Sequence, residues 1–276
     1  YQSLRTNAGQ MVTWSHELSL NATVLNHQDY GVDLGVNFTK VRNKVKKLAP
    51  GVESIMLGGF VTPQIRAQAG YTYPNIYGKA FKRTADGQLL LDANGLPQST
   101  AANVNLGECA PDFNMGFNLH AHYKNLSLSA TMDWQKGGCM YNGTLLTMNY
   151  FGATKESLPY HEGTMVAEGI NEATGAKNTV VVGKQAYYQA YNDVTEAGIF
   201  ETSYLKLRDV TLSYQFPKLA GINLSVYGFA RNILLWAKMP NLDPESSQGN
   251  NNMGGYFERF SVPNTSSFGG GFKVTF

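Results

Sequence analysis

Apolar and polar residues alternate along much of this chain. Over 30–39, Tyr30, Val32, Leu34, Val36 and Phe38 share one face, and Gly31, Asp33, Gly35, Asn37 and Thr39 share the other. Over 126–135, Leu126, Leu128, Ala130, Met132 and Trp134 oppose Ser127, Ser129, Thr131, Asp133 and Gln135. The C-terminal stretch repeats the pattern, with Phe268, Gly270, Phe272, Val274 and Phe276 against Ser267, Gly269, Gly271, Lys273 and Thr275. A period of two marks a strand whose faces meet different surroundings. Weaker alternation predicts strands over 15–24 and 113–123, and strands also fit 203–216 and 222–232.

Each run is about 9–12 residues long. That exceeds the ~5–6 residues of an average globular strand and matches the ~9–11 that a tilted strand needs to cross a bilayer. The connections separate the two settings. Those at 24–30, 123–126 and 216–222 are short, those at 40–112, 136–202 and 233–264 are long, and the two kinds alternate. Short turns on one side and long loops on the other are the pattern of an outer-membrane barrel. A soluble sandwich has no reason to sort its loops this way, and connections beyond ~12–15 residues count against it. The expected fold is therefore all-β, a transmembrane antiparallel β-barrel with about seven strands in this chain. The last strand descends from a long loop, which puts Phe276 on the periplasmic side and the long loops outside the cell. Single-chain bacterial barrels have even strand numbers, so residues 1–276 are expected to be the C-terminal part of a larger barrel. Asp86-Gly87 and Asn94-Gly95 are hairpin dipeptides and predict small hairpins above the membrane inside 40–112. Within 203–216 the phase slips. Leu205 and Leu207 share one parity while Val210, Leu212, Tyr214 and Phe216 share the other, which predicts a bulge or the strand's exit from the bilayer.

Composition narrows the alternatives. Charged residues are 15% of the 276, well under the ~25% of ordinary soluble domains, and their place is taken by 29 Gly and 24 Asn. Aromatics at 12% and a net charge of +2 argue against disorder and against a nucleic-acid partner. The longest purely apolar run, Ile233–Ala237, is far short of the ~20 residues of a membrane helix. The chain opens on Tyr1 with no visible leader, so it is expected to be processed or a piece of something longer.

Candidate chemistry is sparse. No nucleophile elbow, phosphate loop or Cys-x-x-Cys is present, so no catalytic, cofactor or metal residue is assigned. His120 and His122 share one strand face; they are either two ligands of a metal or two polar residues on a wet lumen. Cys109 and Cys139 flank the 113–135 hairpin. If Lys124 and Asn125 form its turn, the register brings the two cysteines within one residue of facing. A disulfide closing the loop mouth is then expected, provided the Cα atoms lie within ~7 Å. Sugars and peptides are commonly held by aromatic faces beside hydrogen-bonding groups. Three loop clusters offer these: Tyr71, Tyr73 and Tyr77; Tyr187, Tyr188 and Tyr191; and Trp236 with Asp243 and Glu245. The competing assignment for each is an interfacial aromatic belt or loop packing.

Several stretches, in order and spacing, resemble one family. They are Asn75–Gln88 (NIYGKAFKRTADGQ), Asn94–Pro97, Tyr123–Leu128, Gln135–Gly138, Ser203–Pro217 (SYLKLRDVTLSYQFP), Ala230–Asn232 and Asn241–Glu245. Together they are similar to the C-terminal third of SusC/RagA-type TonB-dependent transporters. The resemblance implies a 22-stranded barrel with an N-terminal plug that lies outside this chain. It also implies a SusD-like surface lipoprotein as lid, energy from TonB, import of oligosaccharides or peptides through the outer membrane, and a dimer of transporter–lipoprotein pairs as a candidate assembly. Gly271, Phe272, Val274 and Phe276 resemble the terminal signal read by the outer-membrane assembly machinery. Two rivals remain: a barrel hydrolase using His120, His122 and nearby acids, and an adhesin or structural barrel without transport.

Overall fold

The computed structural model describes residues 9–218, 221–249 and 255–276. Seven long strands form one sheet: β1 (Gly9–Asn26), β2 (Tyr30–Leu48), β3 (Phe113–Tyr123), β4 (Leu126–Lys136), β5 (Tyr204–Gln215), β6 (Asn223–Ala237) and β7 (Ser267–Thr275). Each pairs antiparallel with its sequence neighbour, so the sheet is a plain meander in chain order. Tyr123 pairs with Leu126, and Lys124 takes the left-handed conformation (φ 51°) that the two-residue connection needs.

The register keeps the sequence alternation intact across strands. Leu18, Leu20 and Ala22 stand opposite Phe38, Val36 and Leu34, and those in turn opposite Met115, Phe117 and Leu119. The apolar face continues through Leu128, Ala130 and Met132 to Val226 and Phe272. Phe268 and Phe272 are 75% and 73% exposed, so no protein core covers this face. The opposite face carries polar ladders: Thr23 donates to Asp33 (2.6 Å), Ser19 to Asn37 (2.8 Å) and Thr131 to Asn118 (3.3 Å). His120 Nδ1 lies 3.1 Å from Ser129 Oγ on the same face, and the His122 ring lies over Gly31, where an added Cβ would fall 2.4 Å from it.

The predicted phase slip is a bulge. Leu207 pairs with Met132 and Asp209 with Thr131, leaving Arg208 as the extra residue. β1 and β2 run further than the alternation predicts, to Gly9 and Leu48, because beyond Thr39 the pairing continues although Lys40, Arg42 and Lys44 replace the apolar set.

The buried core lies in the long connections. One cluster joins Val45, Ile65, Tyr73, Ile76, Cys109 and Phe257; a second joins Leu91, Ala167, Val182 and Tyr187. The first connection contains a four-stranded sheet of Ser54–Gly59, Gln64–Gln68, Asn75–Gly78 and Val104–Glu108. The turns at Asp86-Gly87 and Asn94-Gly95 form as expected, with φ of 89° and 77° at the glycines. The second connection carries helices α1 (Gly143–Tyr150) and α2 (Lys184–Asn192). Cys139–Asn142 pairs with both Ile199–Glu201 and Phe257–Glu258, which ties the second connection to the third. The buried Glu258 carboxylate accepts from Thr144 N (3.2 Å), Thr144 Oγ1 (2.7 Å) and Ser261 N (3.0 Å), at the α1 N-terminus where a helix favours negative charge.

Candidate functional site

Two arrangements in the connections have chemical potential. The first is an ion network on the polar face of β5, beside the bulge. The third connection folds back over the sheet and puts Asp243 and Glu245 onto Lys206 and Arg208. Lys206, 3% exposed, donates to Asp243 Oδ2 (2.5 Å) and Glu245 Oε2 (2.8 Å). Arg208 grips both Glu245 oxygens and donates through Nε to Asp133 Oδ2 (2.6 Å). Tyr204 donates to Glu245 (3.2 Å), and Asn264 donates to Asp243 (2.9 Å). Burial alone would raise the Glu245 carboxyl, but Arg208 and Lys206 outweigh it and hold it down at about 2. Every carboxylate here has a cation, so the network fastens the connection to the sheet. Arg208 shares the face of Tyr204 and Lys206 by strand alternation, and the bulge brings Asp209, paired with Thr131, onto that face as well.

The second arrangement is a pocket of about 80 Å³ where α1 ends against α2. Tyr160 and Tyr188 stack in its wall, centroids 3.4 Å apart and planes 17° apart. Gln185 and Gln189 of α2 and Asn149 of α1 bring carboxamides to it, and His161 Nε2 lies 2.9 Å from the Gly152 carbonyl. Burial, then the neighbouring Tyr160, pushes the Tyr188 phenol up to about 12, so it stays neutral.

The sequence-predicted residues fall in different places. Tyr73 and Tyr187 are core residues, and Tyr77 is buried, donating to Gln68 beneath Arg66. Tyr191 packs on Phe81 at 4.6 Å. Tyr71 stays exposed on a turn, and Tyr188 alone of the nine candidate contacts lines the pocket. Trp236 is not brought to Asp243 and Glu245: it pairs with Leu205, which puts it on the apolar face, opposite the ion network. Cys109 and Cys139 are both free thiols, so the expected disulfide is not formed. Gly137 and Gly138, both with positive φ, turn the chain out of the β3–β4 register, and Cys139 enters the separate three-stranded sheet. The two thiols still meet at the edge of the first core, where burial and then the Cys139 side chain push the Cys109 thiol well up. His120 and His122 have no third ligand, and no cluster of metal-binding side chains occurs among the described residues. Sequence reasoning missed Lys206, Arg208, Tyr160, Gln185 and Gln189. Two cations on the polar parity of β5 are a signal for the first pair; nothing in the residue types marks the others.

No family model matches the chain. Among curated relatives, the TonB-dependent receptor P3 of Formosa agariphila is 26% identical over 89% of this chain and 26% of its own length. The TonB-dependent receptor P26 of the same organism is 27% identical over 100% of this chain and 30% of its own length. The TonB-dependent receptor SusC of Bacteroides thetaiotaomicron is 22% identical over 88% of this chain and 25% of its own. Among solved structures, the RagAB peptide transporter superposes on 97% of this chain and 29% of its own chain, with a TM-score of 0.63 and 22% identity. The chain resembles the C-terminal barrel portion of SusC/RagA-type TonB-dependent transporters. It spans under a third of the length of the relatives it matches.

As in these transporters, the sheet is a segment of a transmembrane barrel wall. Its apolar face is the lipid side and its polar face the lumen side. Trp236, Trp134 and Phe113 then stand on the lipid side at the strand ends that lead into the long connections, where aromatic rings favour the membrane boundary. The ion network is on the lumen side, and the pocket lies in the layer built by the long connections.

Proposed function

We propose that residues 1–276 are the C-terminal wall of a 22-stranded outer-membrane importer driven by TonB. It takes up oligosaccharides or peptides with a SusD-like lipoprotein, in pairs that form a dimer. The plug and its TonB contact belong to the rest of the importer's chain, and the long connections contact the lid lipoprotein and line the outer cavity. Gly271, Phe272, Val274 and Phe276 serve as the assembly signal, with the C-terminus periplasmic. The observation that carries this reading is the seven-strand meander whose apolar side has no protein cover. Such a face is stable only against lipid, where closed strand pairing satisfies every backbone group. The curated relatives are named as TonB-dependent receptors, which favours transport over the hydrolase alternative.

The test is a gentle detergent extraction of the whole protein followed by affinity capture. A co-purifying surface lipoprotein, together with TonB-dependent growth on an oligosaccharide or peptide source, is the expected result. A barrel that purifies alone, and whose deletion leaves uptake of both nutrient classes unchanged, overturns the reading.

A further inference from the structure

Beyond Thr39 the outward face of β2 turns basic. Strand alternation keeps Lys40, Arg42 and Lys44 on the face of Val36 and Phe38, where Lys40 pairs with His16 and Arg42 with Trp14 of β1. A bulge follows: Met11 pairs with Val45 and Gln10 with Lys47, leaving Lys46 as the extra residue. Lys47 therefore shares the outward face with Lys44, while Val45 and Leu48 turn inward onto the first core of the long connections. Lys46 and Lys47 are exposed, and Lys40 and Lys44 are half-buried. Among the described residues Arg42 alone of the five cations has acidic partners, Glu108 (3.1 Å) and Asp112 (2.5 Å). The four lysines have no counter-charge from the chain. Alternate residues of a strand stand about 7 Å apart, where like charges on one face repel. An anion shared among them relieves that repulsion.

We propose that this stripe binds the phosphate groups of the glycolipid that forms the outer leaflet of the bacterial outer membrane. The proposal rests on the importer reading, which puts the strand ends beside the long connections at that leaflet. The stripe is continuous with the lipid side of the wall. Phe38 lies two residues before Lys40 on the same face, and Trp14, opposite Arg42, stands where aromatic rings favour the membrane boundary. An amphiphile fits this continuity, with acyl chains along Val36 and Phe38 and an anionic headgroup at the lysines. Long lysine stems carry their charge from an apolar surface to such a headgroup, and clustered lysines beside a bilayer attract anionic lipids. A soluble anion inside the barrel does not meet the stripe, because the lysines point away from the lumen side. An acidic protein would need no apolar surface next to the charges, whereas a lipid does.

The whole protein, purified in neutral detergent, is titrated with fluorescent bisphosphorylated lipid A and with its dephosphorylated form. Inorganic pyrophosphate serves as a competitor. Saturable binding of the phosphorylated lipid is expected, with the dephosphorylated form much weaker and pyrophosphate unable to displace it. Each lysine near an anionic surface is worth about fivefold, so Lys40→Gln/Lys44→Gln/Lys46→Gln/Lys47→Gln should weaken binding by about tenfold or more. Replacing the same four lysines by Arg should preserve it. Lys124→Gln/Lys273→Gln, changed at the short-turn end of the wall, should bind like the native protein. Heat-modifiable migration on gels checks that each variant is folded. Equal binding of the two lipids, displacement by pyrophosphate, unchanged binding in the quadruple Gln variant, or an equal loss in the Lys124 and Lys273 control overturns the proposal. An acidic protein that co-purifies with the native chain and is lost from the quadruple variant, with no lipid A binding, overturns it too. The importer reading fails separately. Uptake lost on gene deletion with lipid binding unchanged by the four substitutions defeats only the stripe, whereas lysine-dependent lipid binding with uptake unaffected by deletion defeats only the importer.

Discussion

Lys206 shows how one side chain can hold a long connection in place. Its ammonium is 3% exposed and touches two carboxylates, so removing it leaves Asp243 and Glu245 facing each other with Arg208 as the one remaining cation. Breaking a buried pair on one side costs about 3–5 kcal/mol. Lys206→Met should therefore destabilise the folded protein by about 3 kcal/mol, the low end, because Arg208 remains. Adding Asp243→Asn should recover part of that loss, since the two positions are coupled. Urea unfolding of both variants in bilayers reads this, and strictly additive losses would reject it. Glu245 carries the pH dependence. Its folded-state carboxyl titrates at about 2, below its ordinary value of 4.5. Its contribution is thus complete above pH 4.5 and drains away as pH falls towards 2. The gap in melting temperature between the native protein and Glu245→Gln should be constant above pH 5 and shrink steadily below 4.5. A gap that widens on acidification contradicts the assignment.

At the level of elements, the two faces of each strand should respond oppositely to charge. Phe272, near the middle of β7 on the lipid side, should cost about 2–4 kcal/mol when changed to Arg. Ser213→Arg on the lumen side of β5 should stay within about 0.5 kcal/mol. Equal penalties at both positions, measured by unfolding in lipid, would mean the faces are misassigned. The seven long strands and their register were legible in the sequence because lipid on one side and water on the other impose a period of two. The turn at Lys124 and the bulge at Arg208 could be read for the same reason: each is where that period resets. The extension of β1 and β2 past Thr39 was not legible, since both faces there are wet or protein-covered and Lys40, Arg42 and Lys44 follow no two-environment rule. The site was less legible than the wall. Tyr187, Tyr188 and Tyr191 are chemically alike, and only the helix decides that Tyr187 enters the core while Tyr188 reaches the pocket. Trp236 is likewise indistinguishable from a ligand-stacking ring until its pairing with Leu205 sets its side.

For the molecule as a whole, the open edges matter most. Within the described residues β1 pairs on one side only, with β2, and β7 only with β6. In a closed barrel the outer edge of β1 is hydrogen-bonded to a preceding strand, because lipid offers its amides no partner. Hydrogen exchange of the full-length protein should therefore show the edge amides of Gly9–Asn26 as slow as those of β3. Fast exchange along that edge would show that the sheet does not continue. The layer built by the long connections, by contrast, is knit together across all three of them: Arg83 meets Glu196 at 2.7 Å, and Tyr141 pairs with Phe257. The salt bridges from Lys206 and Arg208 make the stretch around Asp243 a stationary sill at the mouth of the barrel. Under the importer reading proposed above, a lid partner closing over this opening comes down onto the sill rather than carrying it along.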